Sequence, residues 1–165
     1  MRFIIRKLVF VALLLGGFGA QAQHNVRVVR FPELQKLLKS KQDTLLVINF
    51  WATWCKPCVR ELPHFQKAYD GFKEKPVRFL LVSLDDAKEL KTRLEPFVQR
   101  HNMTTPVWLL NESDYNSFID KVDESWQGSL PATLFLNNHR EQRVFHEKEL
   151  TEAQLNQTIR NLLPN

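Results

Sequence analysis

The sequence predicts a single α/β domain, and three observations carry that reading. Apolar runs alternate with amphipathic segments along most of the chain. Two of the runs, residues 45–50 and 77–84, are continuous enough for strands buried on both faces. Of the 165 residues, 1–22 read as a removable leader, and the remaining 143 are the usual size of one domain. A core of that size folds without disulfide staples.

Residues 26–30 are a candidate short strand. A helix is expected over 32–40, because Phe31, Leu34, Leu37 and Leu38 recur at helical spacing. Residues 45–50 form a central buried strand, followed at once by Cys55-Lys56-Pro57-Cys58 and a helix over about 55–72. Residues 77–84 are a second buried strand. Asp85-Asp86 supply N-cap chemistry for the helix after it, which Pro96 kinks or restarts. A third strand over 106–110 and a helix over 112–122 follow. Residues 133–136 and 142–146 flank an Asn-Asn-His-Arg turn and read as a hairpin. Thr151-x-x-Gln154 is a capping box that opens a last helix to about residue 163. There is no internal repeat, low-complexity stretch or interdomain linker.

The leader has a positive start (Arg2, Arg6, Lys7), an apolar stretch over 8–18, and Ala20-Gln21-Ala22 as a cleavage site before Gln23. The stretch is shorter than the roughly 20 residues that a membrane span needs, so export with cleavage is expected, in preference to an uncleaved anchor. No cysteine near the cleavage site invites lipid attachment. The leader holds three cations and no acid, so the formal charge of +5 falls to +2 for residues 23–165. That charge gives no case for nucleic-acid binding.

Cys55 and Cys58 are the only cysteines. A disulfide between them closes a very short loop and removes little entropy from the unfolded chain, so stabilisation is a poor reason for it. Cycling between dithiol and disulfide is a better one. Such exchange needs a thiolate, an open attack trajectory and a second thiol to resolve the mixed disulfide. At the start of a helix, Cys55 meets unpaired N–H groups and the positive end of the dipole, which lower its pKa below the free value of about 8.5. Cys58, inside the first turn, lies deeper on the same face. Cys55 is therefore the expected nucleophile and Cys58 the resolving thiol. Pro57 is tolerated in a first turn, where its missing N–H has no partner to lose. Lys56 adds a cation beside the sulfur, or is a solvated side chain screened by salt. Trp51, leaving a buried strand, reads as core; Trp54, next to Cys55, reads as a substrate contact.

Phe50-Trp51-Ala52-x-Trp54-Cys55-x-Pro57-Cys58 resembles the active-site segment of the thioredoxin superfamily, and Cys58-x-x-Glu61-x-Pro63 narrows the resemblance to its exported TlpA/ResA-like branch. The order of elements from residue 45 onward fits as well. The resemblance implies a thioredoxin fold, a central mixed β-sheet flanked by helices, with a helix–strand insertion over about 86–110. It implies a kink at Pro63. Leu130-Pro131-Ala132-Thr133 resembles the cis-proline loop, so Pro131 would be cis and packed against the disulfide, with backbone at Leu130 pairing with extended substrate. Glu61 would tune the cysteines or move protons; an isolated helix glutamate is otherwise a solvated carboxylate. The chain departs from the thioredoxin pattern at Asn49, where thioredoxin has a buried Asp. Asn accepts no proton, which moves weight to Glu61.

The activity so expected is thiol–disulfide oxidoreduction on protein thiol and disulfide substrates, with no cofactor beyond the Cys55–Cys58 couple. The resemblance favours a reductant of exported protein disulfides, apocytochrome c cysteines among the candidates, serving cytochrome c maturation or general redox homeostasis. A reductant in an oxidising compartment implies a membrane electron donor as partner. The same residues would also serve an oxidase or isomerase, and Lys-Pro between the cysteines matches neither a reducing Gly-Pro nor an oxidising Pro-His. From other classes, zinc wants four ligands, and His64, His101, His139 and His146 are scattered without ligand spacing. A non-catalytic thioredoxin-fold module tends to lose a cysteine, and this chain keeps both.

Overall fold

The computed structural model of the protein describes residues 26–163; the leader expected over 1–22 lies outside them. Six strands form one mixed sheet: β1 (Arg27–Val29), β2 (Leu45–Trp51), β3 (Val77–Ser83), β4 (Val107–Leu110), β5 (Ala132–Asn137) and β6 (Gln142–His146). Their spatial order is β1-β4-β3-β2-β5-β6. The β1, β4, β3 and β2 neighbours run parallel, and β5 and β6 are antiparallel additions. β2 is central and buried at every position, as its unbroken apolar run dictates.

Because side chains alternate across a strand, β2 feeds two cores. Leu45, Val47 and Trp51 join the layer made with Leu62, Phe65, Leu155 and Ile159 from α2 (Lys56–Gly71) and α5 (Glu152–Leu162). Leu46, Ile48 and Phe50 face Leu34 and Leu38 of α1 (Phe31–Leu38), with Phe118, Val122 and Trp126. Asn49 falls on the first face, opposite Thr133 in the β2–β5 ladder. The strand's parity thus turns a polar residue toward α2.

Two expected helices are altered. After β3, a 3₁₀ turn (Ala87–Glu89) and a π turn (Leu90–Leu94) precede α3 (Glu95–Arg100). Pro96 sits in the first turn of α3, where no hydrogen bond is lost, so it restarts the helix. The helix expected over 112–122 is replaced by a 3₁₀ turn (Tyr115–Ser117) and the single-turn α4 (Ile119–Val122). Polar side chains compete with the helix there. Glu112 accepts the Phe31 N–H at 2.8 Å, Asp114 accepts from Asn116 N, and Ser117 Oγ donates to Asp114 O. The capping box of α5 forms between Thr151 and Gln154 as expected. Pro63 lies inside α2, which continues to Gly71.

Candidate active site

Cys55 and Cys58 are joined by a disulfide at the start of α2. Cys55 is the N-cap, with extended backbone, and its Sγ accepts the Cys58 N–H at 3.3 Å. The free N–H groups of a first helical turn and the helix dipole therefore converge on this sulfur. Cys55 keeps 6% of its surface exposed and Cys58 none. Cys55 is thus the outer sulfur and Cys58 the inner one.

Asp85 anchors the loop that carries Cys55. Its carboxylate, 3% exposed, accepts Thr53 N at 3.0 Å, Thr53 Oγ1 at 2.6 Å and Ser83 Oγ at 2.7 Å. Only Asp86 caps the following turn, by accepting Lys88 N. Asp85 turns inward because unpaired loop donors are costly to leave unmade.

Glu61 is fully buried, which overturns the solvated reading of this residue. Its Oε1 accepts Asn49 Nδ2 at 2.7 Å and its Oε2 accepts the Leu150 N–H at 2.7 Å. Asn49 Nδ2 also donates to Thr133 Oγ1 at 3.0 Å. Burial pushes the Glu61 carboxyl up to about 7 against those two hydrogen bonds, with Glu149 adding a little in the same direction. Glu61 stands three residues from Cys58 on one helix, so both occupy the same face. Asn49 does not remove the buried acid; it holds one supplied from α2. Spacing carried a signal for this, since Cys58, Glu61, Leu62, Phe65 and Ala68 form one buried stripe.

Cys55 opens onto a cavity of about 440 Å³. Trp54, Lys56, Pro57 and Leu130, the four residues expected at the active-site surface, all line it. Trp54 is 57% exposed, whereas Trp51 is buried and packs on Phe97. Sequence reasoning missed the opposite wall of Leu84, Tyr115, Phe118, Ile119, Trp126 and Gly128. Tyr115 Oη donates to Leu84 O at 2.7 Å, fixing that wall beside the loop after β3. The Leu130–Pro131 peptide is cis, and Leu130 brings this loop to the edge of the cavity.

The four histidines among the described residues lie apart. His64 Nδ1 meets Leu150 O, His101 stacks on Phe97, His146 packs against Phe135, and His139 is exposed near Asp43. Among the described residues no cluster of three or more His, Cys, Asp or Glu could hold a metal ion. Among the same residues no helix is long and apolar enough to cross a membrane.

The sequence profile of the AhpC/TSA family matches residues 31–143. The thiol-disulfide oxidoreductase ResA of Halalkalibacterium halodurans is 29% identical over 77% of this chain and 67% of its own length. ResA of Oceanobacillus iheyensis is 30% identical over 72% of this chain and 57% of its own. The crystal structure of StoA from Bacillus subtilis superposes with a TM-score of 0.54 at 25% identity, covering 70% of this chain and 82% of that one. The chain thus spans between 57% and 67% of the length of these two curated relatives.

Proposed function

Because the chain belongs to the AhpC/TSA family, a family of thioredoxin fold whose members similar to it include proteins named thiol-disulfide oxidoreductases, we propose that it reduces disulfides in protein substrates with the Cys55–Cys58 couple. One observation carries the reading: a disulfide whose outer sulfur opens onto an apolar cavity and whose inner sulfur shares a helix face with a buried carboxyl.

In the reduced protein, the Cys55 thiolate attacks one sulfur of a substrate disulfide. A Cys55–substrate disulfide forms, and the other substrate sulfur leaves and takes up a proton. Cys58 then gives its proton to the Glu61 carboxylate and attacks Cys55 Sγ. The substrate's second thiolate leaves, and the Cys55–Cys58 disulfide is restored with two electrons passed to the substrate. A carboxyl that titrates at about 7 is suited to take and return a proton near neutral pH. The Cys58 N–H and the helix dipole supply the charge that favours thiolate at Cys55.

The composition of residues 1–22 supports export and cleavage before Gln23. In an oxidising extracytoplasmic compartment such as a periplasm, the couple needs electrons from a membrane-bound dithiol donor. Two measurements test the function. Residues 23–165 supplied with dithiothreitol should reduce insulin, and no acceleration over dithiothreitol alone would sink the proposal. The reduction potential decides direction: a value near −270 mV supports a reductant, and one near −120 mV makes the protein an oxidant.

A further inference from the structure

The carboxylate of Glu147, at the turn after β6, accepts two main-chain N–H groups from the segment before Pro131: Gln127 N at 2.9 Å and Ser129 N at 2.7 Å. Gly128 between them has φ +90, a conformation L side chains avoid, and this lets both flanking N–H groups converge on one anion. Trp126 Nε1 donates to Ser129 O at 3.0 Å. The Ser129 residue is therefore gripped at both its N–H and its C=O, one position before Leu130.

We infer that Glu147 is a positioning residue for substrate docking, holding the 127–130 main chain at the edge of the cavity beside Cys55. The inference rests on the disulfide-reductase reading above. Gly128 and Leu130 both line that cavity, so a substrate chain seated in it beside Cys55 has this segment as one wall. Gln127, Gly128 and Ser129 are themselves exposed. Water would satisfy their N–H groups at little cost, and the fold does not require the carboxylate. What it supplies is a fixed edge: an unbraced, glycine-containing loop samples many conformations, and a substrate must order it on binding. The same turn reaches α2 three residues later, where Leu150 N donates to Glu61. One short segment thus sets both the docking edge and a partner of the buried acid.

The test is steady-state kinetics of Glu147→Ala and Glu147→Gln with a disulfide-bonded peptide, beside 2-hydroxyethyl disulfide, which has no peptide main chain to lay along residues 127–129. For Glu147→Ala the KM for the peptide should rise roughly tenfold. Its rate with the small disulfide and the reduction potential should stay at the wild-type values. Glu147→Gln keeps one acceptor oxygen and should fall between. If the alanine variant does not fold, the glutamine variant carries the test with a KM rise of roughly threefold. An unchanged peptide KM in a folded variant overturns the inference, as does an equal loss with both substrates, which would mark a merely structural tie. A wild-type protein inactive on both disulfides sinks the reductase reading instead.

Discussion

Asn49 donates its side-chain amide to Glu61 across 2.7 Å, and neither side chain has exposed surface. The pair joins the centre of the sheet to the active-site helix about one turn after Cys58. Asn49 commits Nδ2 to Glu61 and Thr133, while its Oδ1 has no protein partner. That arrangement suits an ionised Glu61, which only accepts. A neutral acid, or an amide in its place, is accommodated if Asn49 turns and offers Oδ1 instead.

Stability should depend on pH through Glu61. Its carboxyl is raised from 4.5 to about 7 by folding. Between those values the folded protein keeps a proton that the unfolded chain has released, so stability falls as pH rises through this window and levels off above it. The contribution is roughly 3 kcal/mol at most. Urea unfolding of the oxidised protein should therefore show Glu61→Gln gaining on the wild type by about that amount between pH 4.5 and 8. Parallel curves for the two proteins would rule out the raised carboxyl.

The same carboxyl should govern resolution of the mixed disulfide. Ionised Glu61 accepts the Cys58 proton, so the rate in the wild type should rise with pH through an apparent value near 7. In Glu61→Gln that rise should vanish, and the rate at pH 7.5 should drop by roughly 10²-fold. Single-turnover release of a fluorescent thiol from preformed mixed disulfide reads this step directly. A variant that resolves at the wild-type rate would leave Glu61 without a proton-transfer role.

What the sequence made legible was local. A buried strand running into Cys55-x-x-Cys58 and a helix needs only neighbouring residues, as does the Thr151/Gln154 capping box. Glu61 carried two readings in the sequence, site acid or solvated carboxylate, and its burial decides between them through Leu150 and Asn49, 89 and 12 residues away. The helix expected over 112–122 failed for the opposite reason. Its apolar spacing was helical, but the Asp114 and Ser117 side chains took backbone groups first. The cavity wall could not be read at all, since Leu84, Phe118 and Trp126 meet only through the fold.

The two cysteines should trap substrate unequally. Cys55 opens onto the cavity while Cys58 has no exposed surface. Cys58→Ala should accumulate substrate mixed disulfides on non-reducing gels, and Cys55→Ala should not. Equal trapping by both variants would remove the assignment of Cys55 as nucleophile.

Trp51 and Trp54, three residues apart, should respond oppositely to truncation. Trp51→Ala empties a buried site against Phe97 and should cost about 3–5 kcal/mol of stability. Trp54 is 57% exposed beside the disulfide, so Trp54→Ala should leave stability within about 0.5 kcal/mol. It should instead raise the KM for a peptide disulfide several-fold, because apolar contact area is lost. Thermal melts and steady-state kinetics on the two variants separate core from contact. A Trp54→Ala protein with unchanged KM would remove this tryptophan from the docking surface.

Asp85 should set how firmly Cys55 is presented. Its carboxylate gathers Thr53 N, Thr53 Oγ1 and Ser83 Oγ with almost no exposure to water. Alanine there leaves the buried Ser83 hydroxyl and the half-buried Thr53 donors without their acceptor, at a cost of about 1–3 kcal/mol. Asparagine keeps one acceptor oxygen and places an amide against donors, so its loss should be intermediate. The freed segment includes Trp54 and leads into Cys55, so the order wild type, Asp85→Asn, Asp85→Ala should reappear in the rate of Cys55 alkylation by iodoacetamide in the reduced protein. Loss of stability with no change in that rate would confine Asp85 to the scaffold. Loss of both in the same order would tie the loop's anchor to the reactivity of the sulfur it carries.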